Sequence, residues 1–152
     1  MDLYVHLIFW RIIMKFGEVC RFNFPNRNGK EIYGVHYAVV LTDKTKEDNT
    51  LLVAPITSKK SNKKYRGGIT IDNTKYQTNP TYDKSFVYIR KIQEIDFKRC
   101  TKERVLKINQ DGTPALTKDG EESYSWKEKV IFELDETDQK ILKEKIKEIF
   151  DL

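Results

Sequence analysis

The stretch at residues 34–60 constrains the fold of this chain most, because it holds two short apolar runs separated by a polar segment. The runs are YAVVL at 37–41 and LLVAPI at 51–56. Their short length and β-branched content favour buried strands over a helix. The segment at 42–50 is rich in Thr, Asp, Asn and Lys, which favour turns and solvent. We therefore predict a β-hairpin at the centre of a β domain.

Polar residues stand at matching ends of the two predicted strands. His36 precedes the first run, and Thr57, Ser58 and Lys59 follow the second. In an antiparallel pair the start of one strand lies beside the end of the next, so we expect these side chains to meet at one edge of the sheet. That edge is the first candidate for a functional site.

Alternating apolar and polar residues predict further strands. The segments at 18–24 and 85–92 are typical of half-buried strands, and residues 69–71 form a shorter candidate. Turn signals at Asp-Gly pairs leave residues 109–125 as either a short hairpin or a flexible insertion. Residues 96–106 are predicted to form a short helix with Asp96 as its N-terminal cap.

The clearest helix signal lies at the C-terminus. Asp135, with Asp138 three residues later, is typical of a helix N-terminus. Lysines and glutamates fill one face of the predicted helix, and apolar residues recur on the other at helical spacing: Leu142, Ile146, Ile149 and Phe150, with Ile141 beside them. This amphipathic helix of about four turns is expected to pack on the sheet. The predicted class is α+β, mainly β.

The length of 152 residues favours one domain. We predict a single domain at 14–152 and a peripheral extension at 1–13. The extension is apolar but too short to span a bilayer, and it has no signal-peptide cleavage site. It could be an added strand, an interfacial segment or translated upstream sequence. No membrane association is expected.

Net charge and cysteine content indicate which binding partners and which cellular compartment are compatible with this chain. Lys and Arg exceed Asp and Glu by 28 to 23, which is compatible with a polyanionic partner without requiring one. Cys20 and Cys100 lie far apart, which favours reduced thiols in the cytoplasm over a single disulfide. No zinc-ligand spacing and no phosphate-binding glycine motif occur, so neither metal nor cofactor is predicted.

Several short motifs follow one another along residues 16–104. In chain order they are Gly17-Glu18-Val19, Phe24-Pro25, GVHYAVVL, VAPITSK and YIRKI, with Asp96 and Arg99 downstream. This order resembles the MazF/PemK/Kid toxins of bacterial type II toxin–antitoxin systems. The most specific part of the likeness is the spacing of AVVL and VAPITSK.

The resemblance implies an SH3-like small barrel or a strongly curved antiparallel sheet with attached helices, assembled as a homodimer. It implies a metal-independent endoribonuclease that cleaves single-stranded RNA to 2′,3′-cyclic phosphate and 5′-OH ends. It also implies a cognate antitoxin, whose disordered tail would insert into the RNA groove and whose complex would bind DNA. The alternative is a non-catalytic toxin on the same fold, such as a gyrase-binding CcdB-like poison, or an RNA-binding relative.

The resemblance also points to three candidate catalytic residues. Thr57 matches an active-site threonine whose hydroxyl would donate to a phosphate oxygen. Arg90 matches an arginine that would bind phosphate in a bidentate manner. His36 stands where the family has an arginine, and its imidazole suits acid–base catalysis near neutrality. A structural histidine, an ordinary strand-end threonine and a surface arginine remain the alternatives.

Basic residues around these positions are candidates for contact with RNA. Proteins that bind single strands combine basic grooves with aromatic rings on which bases stack. A charge run that simply faces solvent is the alternative. The predicted RNA-binding residues are Arg27, Lys30, Ser58, Lys59, Lys64, Tyr65 and Arg66.

Overall fold

The structure, a computed structural model, describes residues 12–45, 47–101, 103–127 and 130–152. These residues form short strands, three 3-10 turns and one long helix, α1 (Glu136–Phe150). The turns are Asn73–Lys75, Ile89–Lys91 and Phe97–Arg99. The strands are β1 (Ile12–Met14), β2 (Glu18–Phe24), β3 (Gly34–Val40), β4 (Lys44–Thr45), β5 (Thr50–Ser58), β6 (Gly68–Asp72), β7 (Lys84–Tyr88), β8 (Gln93–Asp96), β9 (Cys100–Thr101), β10 (Glu103–Leu106), β11 (Tyr124–Lys127) and β12 (Val130–Glu133).

Eight of the strands form one antiparallel sheet. Six of them follow the order β12-β2-β3-β5-β7-β6, while β8 pairs with β5 and β9 pairs with β2. Within the described residues no pairing joins the two ends of this order, so the sheet is open rather than a closed barrel. The predicted α+β class, with a curved antiparallel sheet and a C-terminal helix, is confirmed.

The predicted central hairpin is present as β3 and β5. The two strands pair from Ala38 opposite Pro55 to Val40 opposite Val53. β5 pairs with three strands in all, because β8 also pairs with its first half and β7 with its last three residues. The polar linker contains the short strand β4, which pairs with β1. The first eleven residues of the predicted extension lie outside the described residues, but residues 12–14 belong to β1.

Both faces of the sheet are buried, because alternate residues of its strands enter two different cores. One core holds Val19, Val39 and Ala54, and it is closed by Leu134 and Leu142 near and within α1. The other core lies on the opposite face and contains Met14, Cys20, Phe22, Phe24, Ala38, Val40, Leu51, Val53, Ile95 and Cys100. Both cysteines are therefore buried in the second core.

Two predictions of secondary structure are wrong. The described residues between 96 and 106 form no helix beyond a single 3-10 turn, where the Asp96 carboxylate accepts from the Lys98 amide at 2.8 Å. The chain then becomes extended, since Cys100 pairs with Phe22 of β2 and is buried there. The strand predicted at 85–92 ends at Tyr88, because the next residues form a 3-10 turn before β8 begins.

Of the two alternatives for residues 109–125, the structure contains the hairpin. β10 and β11 pair antiparallel, with Leu106 opposite Tyr124. Isolated bridges between Ile108 and Pro114 and between Leu116 and Glu122 continue the ladder into the insertion. The insertion is therefore an ordered β-arm.

The C-terminal helix begins where the sequence predicts. The Asp135 carboxylate caps it by accepting from the Asp138 amide at 2.8 Å. Leu142 is fully buried, whereas Ile141 and Phe150 are about half exposed, at 46% and 51%. Because each helical residue advances by roughly 100°, these two flank the buried stripe rather than lie in it. The predicted packing of Phe150 in the apolar face is therefore wrong.

A polar cluster ties the start of α1 to the 3-10 turn after β6. The Tyr76 hydroxyl donates to the Asp138 carboxylate at 2.5 Å, and Lys75 Nζ lies 2.7 Å from Asp135 and 3.1 Å from Asp138. The Tyr76 ring stacks on Phe132 at a centroid distance of 4.9 Å. Burial, together with the hydrogen bond to Asp138, raises the pKa of Tyr76 to about 12.

We expect the Tyr76→Phe variant to lose less stability than wild type as the pH rises into the alkaline range. A tyrosine whose pKa is higher in the folded state stabilises the fold below pH 10, and that contribution disappears as the pH rises towards 12. Urea unfolding at pH 8 should show a loss of about 1 kcal/mol for the variant, and the difference from wild type should shrink above pH 10. Tyr33→Phe, at an exposed tyrosine, is the control. Parallel stability curves for Tyr76→Phe and wild type would contradict this role.

Candidate active site

A cavity of about 820 Å³ lies where β3 and β5 separate. The two strands pair with each other only at residues 38–40 of β3 and 53–55 of β5. Beyond these residues the start of β3 remains paired with β2, while the end of β5 pairs with β7. We call the resulting space the fork cavity. Residues 35–37 of β3 and 56–58 of β5 line it, together with Arg21 of β2 and side chains from residues 73–85.

His36 is held in a defined orientation at this fork. Its Nε2 lies 3.0 Å from the Tyr33 carbonyl oxygen, and its ring contacts the edge of Phe24. A carbonyl oxygen only accepts hydrogen bonds, so Nε2 carries the hydrogen of the neutral ring. The lone pair is then on Nδ1. The neutral imidazole is therefore prepared to accept a proton at Nδ1.

Thr57 lies on the other side of the fork. The last β3–β5 pair is Ala38 with Pro55, and His36 lies two residues before it on β3 while Thr57 lies two residues after it on β5. Alternation along the strands puts both on the same face of the sheet. Both residues are half-buried and line the fork cavity. Their meeting at one edge of the sheet stays a prediction, while both residues line the same cavity.

Arg90 is not among the residues that line the fork cavity. It lies on the 3-10 turn after β7 rather than on the predicted strand, and its side chain is exposed. The Arg90 amide donates to the Gly67 carbonyl at 3.0 Å, and a Cβ atom at position 67 would overlap the Arg90 side chain. Arg90 therefore lies beside the loop between β5 and β6, outside the lining of the fork cavity.

Tyr65 fixes this loop, residues 59–67, to the end of β5. Its hydroxyl donates to the Ser58 carbonyl at 3.1 Å and accepts from the Lys60 amide at 2.9 Å. Its ring packs against Phe86 and Tyr88, at 5.2 and 6.2 Å between centroids. The ring predicted to stack on RNA bases thus already has protein aromatic partners.

The remaining predicted RNA-binding residues occupy two loops and the end of β5. Lys64 and Arg66 are exposed, whereas Lys59 is half-buried and its Nζ donates to Thr70 Oγ1 at 2.7 Å. Arg27 and Lys30 are exposed in the loop between β2 and β3. Ser58 is the one member of the predicted set that lines the fork cavity, which adds its hydroxyl to that of Thr57.

Sequence reasoning missed Arg21 and the polar residues of the segment at 73–85. Arg21 is the basic residue of the alternating strand β2, and only the register that pairs it with Tyr37 brings it to the fork. The segment at 73–85 has no apolar period, so its sequence gives no sign that it closes one side of a cavity. Asn73, Gln77 and Ser85 all line the fork cavity.

Two further findings concern the described part of the chain. No group of three or more His, Cys, Asp or Glu residues there is arranged to hold a metal ion. None of its helices combines the length and the apolar composition needed to cross a bilayer.

Comparison with known proteins identifies one family. A family model described as PemK-like, MazF-like toxin of type II toxin–antitoxin system matches residues 15–118. The matched segment contains β2, β3 and β5 and thus the whole fork. No curated protein gives a significant match to the sequence.

Proposed function

Because the chain belongs to the PemK-like, MazF-like toxins of type II toxin–antitoxin systems, we propose that it is a metal-independent endoribonuclease. Its substrate is single-stranded RNA, and its products carry 2′,3′-cyclic phosphate and 5′-OH ends. One observation carries the proposal: an imidazole whose Nε2 lies 3.0 Å from a carbonyl oxygen and a hydroxyl line the same cavity, at His36 and Thr57.

In the proposed reaction the ribose supplies the nucleophile. His36 Nδ1 removes the proton of the 2′-OH, and the 2′-oxygen attacks the adjacent phosphorus. The bond from phosphorus to the 5′-oxygen breaks, and the leaving oxygen takes up a proton from solvent to become the 5′-OH, while protonated His36 returns its proton to solvent. Thr57 donates a hydrogen bond to a non-bridging oxygen and stabilises the charge that builds up there.

Arg90 and the basic loop bind the RNA chain outside the fork cavity in this proposal. Exposed cations position a single strand through its phosphates, which gives affinity that depends on salt. Arg90, Lys64 and Arg66 are exposed and lie in or beside that loop, and Arg27 and Lys30 are exposed in the loop between β2 and β3.

A non-catalytic toxin is the second candidate. The observation that favours it is the position of Arg90, since the one arginine matched to a catalytic role does not line the fork cavity. Such a toxin would use the same surface to bind RNA or a protein target without cleaving it, because fold alone does not determine function.

Membership of the family implies an antitoxin partner. We propose that an acidic, disordered antitoxin segment covers the fork and the basic loop, which its charge would complement. We also propose a homodimer that acts on cytoplasmic RNA, and DNA binding through the antitoxin complex.

The decisive test incubates the purified protein with a long single-stranded RNA in the presence of EDTA. We expect discrete fragments with 5′-OH ends, because neither His36 nor Thr57 needs a metal for the proposed steps. Arg90→Ala should weaken RNA binding more than it slows the bound reaction. Intact RNA after incubation with folded protein would overturn the endoribonuclease and favour the non-catalytic toxin.

A further inference from the structure

The loop between β2 and β3 carries the carbonyl that orients His36. The loop leaves β2 after Phe24 and returns to β3 at Gly34, and these two residues pair with each other. Tyr33, the last residue of the loop, supplies the carbonyl oxygen that lies 3.0 Å from His36 Nε2. The orientation of the proposed base therefore depends on how the end of this loop is held.

The backbone around Tyr33 does not by itself fix the direction of that carbonyl. Rotation of the peptide unit between Tyr33 and Gly34 changes ψ of Tyr33 and φ of Gly34. Gly34 has a φ of +82°, and glycine adopts positive and negative φ about equally well. The Tyr33 side chain is 57% exposed, so its packing anchors the loop only weakly. A contact from elsewhere in the fold is needed to hold the carbonyl beside His36.

Gln93, the first residue of β8, supplies this contact. It lies on the buried face of β8 and is 6% exposed, and its Nε2 donates to the Ile32 carbonyl at 2.8 Å. That carbonyl belongs to the peptide unit directly before Tyr33. The chain is thus held on one side of Tyr33 by Gln93, and on the other side by the pairing of Gly34 with Phe24.

The other end of the Gln93 amide has no partner. Because a carbonyl can only accept, the bond to Ile32 identifies the amide nitrogen and places Oε1 at the other end. Oε1 is buried and accepts no hydrogen bond within the described part of the chain. A buried acceptor in this state is destabilising, and an apolar side chain of similar size would avoid that cost. The bond to the Ile32 carbonyl is the interaction that such a side chain could not make.

We propose that Gln93 is a positioning residue for His36. By holding the Ile32 carbonyl, it keeps the Tyr33 carbonyl beside His36 Nε2, so that the hydrogen of the neutral ring stays on Nε2 and the lone pair stays on Nδ1. Gln93 acts through the end of the loop and contacts neither the imidazole nor the RNA. This inference rests on the proposed function, since the tautomer matters for cleavage only if His36 is the base.

The tautomer of His36 is measured by long-range 1H–15N NMR of protein labelled at its histidine nitrogens, at pH 8. We expect wild type to show the Nε2–H form, and Gln93→Met to show an increased fraction of the Nδ1–H form. Methionine is about as long as glutamine but cannot donate to the Ile32 carbonyl. Because it also removes the unpartnered Oε1, the urea midpoint should not fall. The spectrum of His36→Ala identifies the signals of His6.

A substitution at Ile95 is the matched control. Ile95 lies two residues after Gln93 on the same face of β8 and is 3% exposed in the second core. Ile95→Val should lower the urea midpoint, because it removes a buried methyl group, but it should leave the tautomer of His36 as in wild type. A similar tautomer change in both variants would show that any weakening of β8 disturbs His36, which would overturn the specific role of Gln93.

Cleavage of RNA gives a second measurement of the same role. Gln93→Met should slow single-turnover cleavage by about tenfold to a hundredfold, the effect of a slightly misplaced catalytic group. Its affinity for 2′-O-methyl RNA, which lacks the 2′-OH nucleophile, should stay unchanged. In the His36→Ala background, Gln93→Met should slow the residual cleavage no further, because a residue that acts through His36 has no effect without it. An equal factor in both backgrounds would overturn the proposal.

The outcomes separate this inference from the proposed function. An unchanged tautomer in Gln93→Met overturns the positioning role even if wild type cleaves RNA. A changed tautomer supports that role even if wild type fails to cleave, in which case only the endoribonuclease is overturned. If Gln93→Met does not fold, hydrogen exchange in wild type decides: the His36 Nε2–H and the Gln93 side-chain amide should lose protection together as urea is added, and separate losses would overturn the link.

Discussion

Replacement of His36 by alanine is expected to slow RNA cleavage by about 10²- to 10⁴-fold, the usual contribution of a general acid or base. His36 is the histidine that lines the fork cavity, and its hydrogen bond to the Tyr33 carbonyl leaves Nδ1 as the acceptor. Thr57 has no lone pair of comparable basicity, so it cannot replace the imidazole. The measurement is single-turnover cleavage of a labelled RNA with enzyme in excess.

A second substitution distinguishes catalysis from structure at His36. His36→Gln keeps an N–H group that can donate to the Tyr33 carbonyl, but it provides no base. If His36 only supports the strand, the glutamine variant should cleave RNA almost as fast as wild type. If Nδ1 accepts the proton, both variants should be slowed by a similar factor of about 10² to 10⁴, and added imidazole should partly restore the alanine variant. Equal activity of all three proteins would remove His36 from the mechanism.

The local pattern of apolar and polar residues predicts the strands and helices of this fold well where the period of the apolar residues matches the face that is buried. The strand at 18–24 and the capped helix after Asp135 appear at the predicted positions, because each has one apolar face and clear boundary residues. The helix predicted after Asp96 is wrong because a contact between residues distant in sequence determines the conformation of this segment. Cys100 completes the core beside Phe22, which requires an extended chain.

The candidate site was only partly predictable for the same reason. His36 and Thr57 could be assigned to the same end of the hairpin, where both line the fork cavity, since a hairpin fixes the register of its own two strands. Arg21 could not, because its position depends on the pairing of β2 with β3 across a long loop. Arg90 was misplaced because SFVYIRKI alternates like a strand, while the bond from its amide to the Gly67 carbonyl stabilises a 3-10 turn.

The largest expected loss of stability comes from Leu142→Ala. Leu142 is fully buried and is the one apolar residue of α1 in that state among the described residues, so alanine leaves a cavity against the core of Val19, Val39 and Ile71. Such substitutions cost about 2–5 kcal/mol. Urea unfolding should show this loss, and the melting temperature should fall by roughly 2–4 °C per kcal/mol.

The neighbouring residue supplies the matched control. Ile141 is 46% exposed on the same turn of α1, so Ile141→Ala should change stability by only about 0.5 kcal/mol. A similar loss in both variants would mean that α1 does not pack on the sheet through Leu142. At temperatures well below its melting point, Leu142→Ala should still cleave RNA, because α1 contributes no side chain to the fork cavity. A stable but inactive His36→Ala and an unstable but active Leu142→Ala would together locate the chemistry at the fork.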